Sequence, residues 1–194
     1  MSSTLAPFGL RRVRTVGSRP NSMGIGEYRI ASLTTATLYS GQPVAINAAG
    51  FVDVLTSAGI TTGPTVGVLE GVSYTDPVSK RPVWSGYWPG GTSATDAVAA
   101  VDDDPYATFW VQANTSLIAV NVGQLAGLTT ASYTSGTTNY GTSYAVLNQS
   151  SLGTSNGLMR ILRLATLPGN AINDAYTIVE VMFANHQFNT TAGI

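Results

Sequence analysis

The apolar runs of this chain are all strand-sized, and turn residues separate them. Residues 28–31, 37–39, 43–46 and 50–54 are short segments of this kind, and β-branched residues favour strand over helix in them. Residues 64–74 form the longest β candidate. Gly67 and Gly71 inside it mark a bulge or tight packing. Residues 97–101, 102–105 and 106–113 read as strand, polar turn and strand. Side chains alternate across a strand, so Phe109, Val111 and Ala113 share one face while Thr108, Trp110 and Gln112 share the other. Trp110, on the less apolar face, needs a second layer or a partner chain. Near the end, residues 158–164 alternate arginine with apolar residues, Pro168-Gly169-Asn170 turns the chain, and residues 175–184 form a long strand. Arg160 and Arg163 are candidates to pair with Glu180 or Asp174, at a few tenths to about 1 kcal/mol each.

Two stretches fit this scheme less well. Residues 114–128 are the best helix candidate, with a strand ending in a loop as the alternative. Residues 129–156 are rich in Thr, Ser, Gly, Asn and Tyr. An excursion of that length in a compact domain usually binds something or moves. A short strand is expected around residues 144–147. The whole reads as mainly β: a single compact β-sandwich or barrel-like domain over residues 30–194, with long loops. Residues 1–29 precede it as an extended basic N-terminal arm.

Charge sharpens this picture. The chain of 194 residues carries nine basic and ten acidic residues. Charged residues are 10 % of the chain, against about 25 % in an ordinary soluble domain. Four of the nine basic residues, Arg11, Arg12, Arg14 and Arg19, fall in the first 20 residues, and no acid precedes Glu27. The rest of the chain has too little positive charge to coat a nucleic acid. Its aromatic and apolar content argues against charged disorder. A protein packed against neighbours needs few surface charges to stay apart from them. Residues 1–10 lack the apolar run of a signal peptide, and no segment approaches the ~20 apolar residues of a membrane helix.

The residues that carry chemistry are sparse. Cysteine is absent, which removes disulfides, thiolate nucleophiles and thiolate metal sites. His186 is the only histidine, so a zinc site is improbable on ligand number. No serine sits in a nucleophile elbow and no glycine fingerprint opens a helix. Asp102-Asp103-Asp104 lacks the alternating ligands of a calcium loop and reads as a structural turn before Pro105. Glu27, Glu70 and Glu180 with Trp84 and Trp88 leave a carbohydrate-binding or carbohydrate-hydrolysing β-domain as a minor reading. No cofactor or metal is expected, and no enzymatic activity.

Several segments in order resemble the small head-decoration, or cement, proteins of tailed bacteriophages. They are Glu27-Tyr28-Arg29-Ile30-Ala31-Ser32, Gly41-Gln42-Pro43-Val44, and Gly67-Val68-Leu69-Glu70-Gly71-Val72-Ser73-Tyr74. Tyr87-Trp88-Pro89-Gly90-Gly91-Thr92 follows, then Asp103-Asp104-Pro105 leading into Phe109-Trp110-Val111-Gln112-Ala113-Asn114. Arg160-Ile161-Leu162, Pro168-Gly169-Asn170, Asp174-Ala175-Tyr176 and Asn185-His186-Gln187 complete the set. The resemblance implies a non-enzymatic protein on the outer surface of a virion head. It would clamp neighbouring major capsid subunits, commonly as a homotrimer, with no nucleic-acid or membrane partner. In that role Arg11, Arg12, Arg14 and Arg19 are the expected capsid contacts, and Tyr87, Trp88 and Trp110 the interface or core aromatics. The alternative is another virion component, such as a minor capsid, tail or fibre-like protein.

Overall fold

The computed structural model describes residues 4–17, 24–130 and 133–189. The fold is mainly β, built from several antiparallel sheets. Its strands in chain order are β1 (Arg11–Thr15), β2 (Ile25–Arg29), β3 (Leu38–Tyr39), β4 (Pro43–Ile46) and β5 (Val52–Val54). Next are β6 (Gly67–Thr75), β7 (Pro82–Ser85), β8 (Tyr87–Trp88), β9 (Val98–Asp102) and β10 (Ala107–Gln112). The last five are β11 (Leu125–Ala126), β12 (Gly136–Thr137), β13 (Thr142–Ser143), β14 (Met159–Leu164) and β15 (Ile178–Phe183).

A five-stranded sheet runs in the order β1-β10-β15-β14-β11. A six-stranded sheet runs β2-β9-β6-β4-β5, with β7 also paired to β6. Two ribbons, β3–β8 and β12–β13, complete the architecture. Each large sheet buries its own apolar face. Phe109, Val111, Met159, Ile161, Val179 and Val181 form the heart of the first core. Val44, Val66, Leu69, Val72, Trp88 and Val101 form that of the second. Full burial of each such side chain is worth about 1.5–3 kcal/mol. Val68 of β6, with Leu10 and Leu55, joins the first core and ties the two together.

The face alternation of β10 is as expected for Phe109, Val111 and Ala113, which are buried. Thr108 and Gln112 on the other face are buried too, because the N-terminal segment lies there. The Gln112 amide accepts from Ala6 N–H at 2.9 Å and donates to the Thr4 carbonyl at 3.0 Å. Residues 11–15 and 25–29, expected within an extended arm, are therefore strands of the two larger sheets. Extended chain with alternating side chains pairs readily where a neighbouring edge is open.

Residues 114–128 form no α-helix. They hold one 3-10 turn, Ala119–Asn121, and the short strand β11. The Asn121 side chain accepts from Ile118 N–H at 2.8 Å, a local bond that competes with helix propagation. The excursion at 129–156 folds back as the β12–β13 ribbon, and Ala145, Val146 and Leu147 are buried. The strand expected near residues 144–147 reduces to isolated bridges from Leu147 to Ala113 and Leu128.

Among the described residues, three bulges alter the register: between Arg12 and Arg14, between Leu69 and Gly71, and between Ile161 and Arg163. A bulge places an extra residue on one strand and re-aims the side chains beside it. The bulge at Leu69–Gly71 is one of the two readings that the glycines of this segment allow. Its extra residue is Glu70.

Candidate functional site

The bulge in β1 explains where the arginines go. Arg12 pairs in register with Phe109 and Arg14 with Thr108, and those two residues lie on opposite faces of β10. Arg12 and Arg14 consequently leave β1 on opposite sides. The Arg12 side chain is 8 % exposed and grips the Asp102 carboxylate. It also donates to Asp104 at 3.2 Å and to the Thr15 hydroxyl at 2.8 Å. Thr15 in turn donates to Asp104 at 3.1 Å. Burial pushes the Asp102 pKa up, and the Arg12 guanidinium opposes it. Asp103 accepts from the Tyr28 hydroxyl, and Asp104 accepts from Tyr106 N–H at 2.9 Å. The aspartate run is thus a structural turn anchored to β1 and β2. Among the described residues, no three acid, histidine or cysteine side chains gather as a metal site.

On the opposite face, Arg14 donates to both oxygens of Glu180, at 2.8 and 3.0 Å. Arg163 approaches the same carboxylate at 3.4 Å, the cross-sheet partner expected for it. The bulge in β14 makes this possible by bringing Arg163 opposite Glu180 in register. The Glu180 side chain is only 5 % exposed, so two guanidiniums neutralise one buried carboxylate. The Glu180 hydrogen bond and charge raise the Arg14 pKa. Arg160 donates instead to the Gly123 carbonyl at 3.1 Å. Of the four arginines expected as capsid contacts, Arg11 alone among those described makes no ion pair, and it lies 5.6 Å over the Phe8 ring. Arg19 lies outside the described residues.

The three aromatic candidates separate as well. Trp88 is fully buried in the second core, edge-on to Tyr74 at 5.3 Å. Tyr87 is half-buried and stacks on Tyr39 at 6.1 Å. Trp110 is half-buried in β10, opposite Arg11 and Glu180 in register. The large exposed apolar side chains are others. Trp84 on β7 is 66 % exposed and rests against Gly71, where a Cβ would lie 2.7 Å from the indole. Tyr140 is 83 % exposed at the tip of the β12–β13 ribbon. Ile118, Val122 and Ile172 line one shallow groove, with Val120 exposed beside them. Alternation within strands gives no hint of these, because most lie in turns whose course the sequence does not set.

The most built site is a cleft of about 360 Å³ that six segments enclose. Phe8, Leu10, Arg11 and Arg12 come from the N-terminal segment, Ile25 from β2, and Ser40 and Gly41 from the β3–β4 turn. Glu70 of β6, Asp102 of β9 and Thr142 of β13 close it. Gly9 and Gly41, both at positive φ, let the N-terminal segment and the turn touch. A Cβ on Gly9 would meet the Gly41 carbonyl oxygen at 2.7 Å, and Leu10 N–H donates to that oxygen at 2.8 Å. Glu70 enters the cleft as the extra residue of its bulge. Burial raises its pKa, as does the Asp102 charge, while Arg12 lowers it. Among the described residues its carboxyl has no hydrogen-bond or ion-pair partner. The sequence signal for it was Glu70 between Gly67 and Gly71 in the longest strand.

Comparison with protein-family models, with curated proteins and with solved structures found no match to this chain.

Proposed function

We propose that the chain is a structural, non-enzymatic virion protein that binds the outer surface of an assembled phage head. There it clamps neighbouring major capsid subunits. The observation that carries this reading is the surface: large apolar side chains stand exposed on a scaffold with little charge. Ile118, Val122 and Ile172 line one groove, Val120 is exposed in the turn between Ile118 and Val122, and Trp84 and Tyr140 are exposed elsewhere. Contiguous exposed apolar surface of this kind marks an interaction site. Many copies on a lattice gain from effective concentration, so each contact is modest. The ordered segment resemblance to head-decoration proteins supports the same reading, with a homotrimer as the assembly state.

The arginine contacts narrow under this reading. Arg12 and Arg14 serve internal ion pairs, so Arg11 is the described arginine that remains for a capsid carboxylate. In this reading the two larger sheets stack as a sandwich. Its support is the shared packing of Val68 and Leu55 with Phe109 and Val181.

Cosedimentation tests the proposal. The protein binds purified expanded heads at saturable stoichiometry and does not bind isolated capsid subunits. Failure to bind expanded heads overturns it. Introducing Asp at both Val120 and Val122, which are solvent-exposed, weakens head binding at least tenfold and leaves the thermal midpoint within a few degrees.

A further inference from the structure

We infer that the cleft at the Glu70 bulge is a socket for a primary alkylammonium group, the chemistry of a lysine side chain or a free alkylamine. The charge arrangement comes first. Glu70, Asp102 and Asp104 place three carboxylates in and behind the cleft, against the two guanidiniums of Arg11 and Arg12. Asp102 and Asp104 are both engaged by Arg12, and Arg11 sits exposed at the rim over Phe8. One negative charge is left over, and it resides on the carboxylate with no protein partner among the described residues, Glu70. A single positive charge completes the balance. Its raised pKa is what an unmatched, half-buried carboxylate displays.

The walls select the form of the cation. Ser40 and Thr142 line the cleft, and their hydroxyls make no hydrogen bond to a described protein group. An ammonium has three donors, which one carboxylate and two hydroxyls accept. Phe8, Leu10 and Ile25 supply apolar surface for a methylene stem. A divalent cation is a poor match, because it needs six or more oxygen ligands and more than one free acid. The bulge is the device that makes the site. Regular pairing of β6 with β9 leaves no extra residue, and the insertion of Glu70 turns one strand residue into a cleft residue.

The inference does not depend on the virion reading. It is tested on the whole chain by nuclear magnetic resonance titration at pH 7 with n-butylammonium, N-acetyl-lysine methylamide and, as a neutral isostere, n-butanol. Both amines shift the amide resonances of Ser40, Glu70 and Thr142, saturably in the millimolar range, and n-butanol does not. Binding of butylammonium alone restricts the socket to free amines; binding of the blocked lysine as well admits a lysine presented by a polypeptide. Glu70→Gln weakens amine binding about tenfold. No shift with either amine up to 100-fold higher concentration overturns the proposal. So do equal shifts from n-butanol, or unchanged amine affinity in a folded Glu70→Gln protein.

Discussion

Arg12 and Glu70 sit in the same cleft and have opposite energetic signs. Arg12 stands between two carboxylates and is almost fully buried, so its loss strands Asp102 in a poorly solvated place. Removing one partner of a buried pair costs about 3–5 kcal/mol. Arg12→Ala therefore shifts the urea midpoint sharply downward, whereas Arg11→Ala, at an exposed cation, stays within about 0.5 kcal/mol. Equal effects of the two would contradict the assignment of Arg12 to the interior. Glu70 behaves in reverse. Burial, then the Asp102 charge, raises its pKa above the unfolded value. Between the unfolded and folded pKa values the folded state holds more protons, so stability falls as pH rises through that window. Glu70→Gln keeps the shape and removes the charge. Its thermal midpoint is expected about 2 °C above the wild type at pH 7 and equal to it at pH 4, as read by calorimetry.

Strand β1 and the C-terminal turn show what elements add. A chain lacking residues 1–17 loses β1, uncovers the edge of β10, leaves Asp102 without Arg12 and leaves Glu180 with Arg163 alone. It is expected to lose at least the ~3–5 kcal/mol of the buried pair, so its urea midpoint drops well below that of the full chain. At the other end, Gln187 exchanges two hydrogen bonds with Ile46, at 2.8 and 2.9 Å, and pins residues 185–188 to β4. His186 Nδ1 accepts from Phe188 N–H at 3.2 Å, and burial holds the His186 pKa below its usual value, although Val66, Asp103 and Asp104 favour the cation. Protonation puts a hydrogen on the acceptor. The folded state binds fewer protons than the unfolded one, so stability is lost as pH falls below about 6.5 toward the folded pKa. Hydrogen exchange at the Phe188 amide should therefore accelerate in that window, after correction for intrinsic rates. These elements also mark the limit of the sequence. β-Branched and apolar residue type, with alternation in β10 and β14, identified β6, β10, β14 and β15, whose apolar residues enter the cores. It could not show that β1 is a strand, because the Arg12 partner lies 90 residues away and Val13 bulges out of step. The Glu180–Arg163 pair was legible from alternation, while the Arg14 contribution was not. The cleft was invisible for the same reason, since six distant segments build it.

At the scale of the molecule the question is whether two cores make one folding unit. The five-stranded and six-stranded sheets share no strand, and each has its own apolar cluster. Independent cores would melt separately. Three sets of contacts oppose that. Val68, Leu10 and Leu55 pack within the first core, and Val68 belongs to a strand of the second sheet. Arg12 of the first sheet is bound to Asp102 of the second. Gln187, just past the last strand of the first sheet, is clamped to β4 of the second. Unfolding either sheet strands one partner of the buried Arg12–Asp102 pair and opens the apolar seam of the other sheet, so partial unfolding is disfavoured against global unfolding. The expectation is a single calorimetric transition whose calorimetric and van't Hoff enthalpies agree. Ile161→Ala probes the first core and Trp88→Ala the second. Each costs about 2–5 kcal/mol, which for a chain of this size lowers the common midpoint by roughly 5–15 °C without splitting the peak. Two resolved transitions, with each substitution moving only one, would show that the seam between the sheets does not couple them.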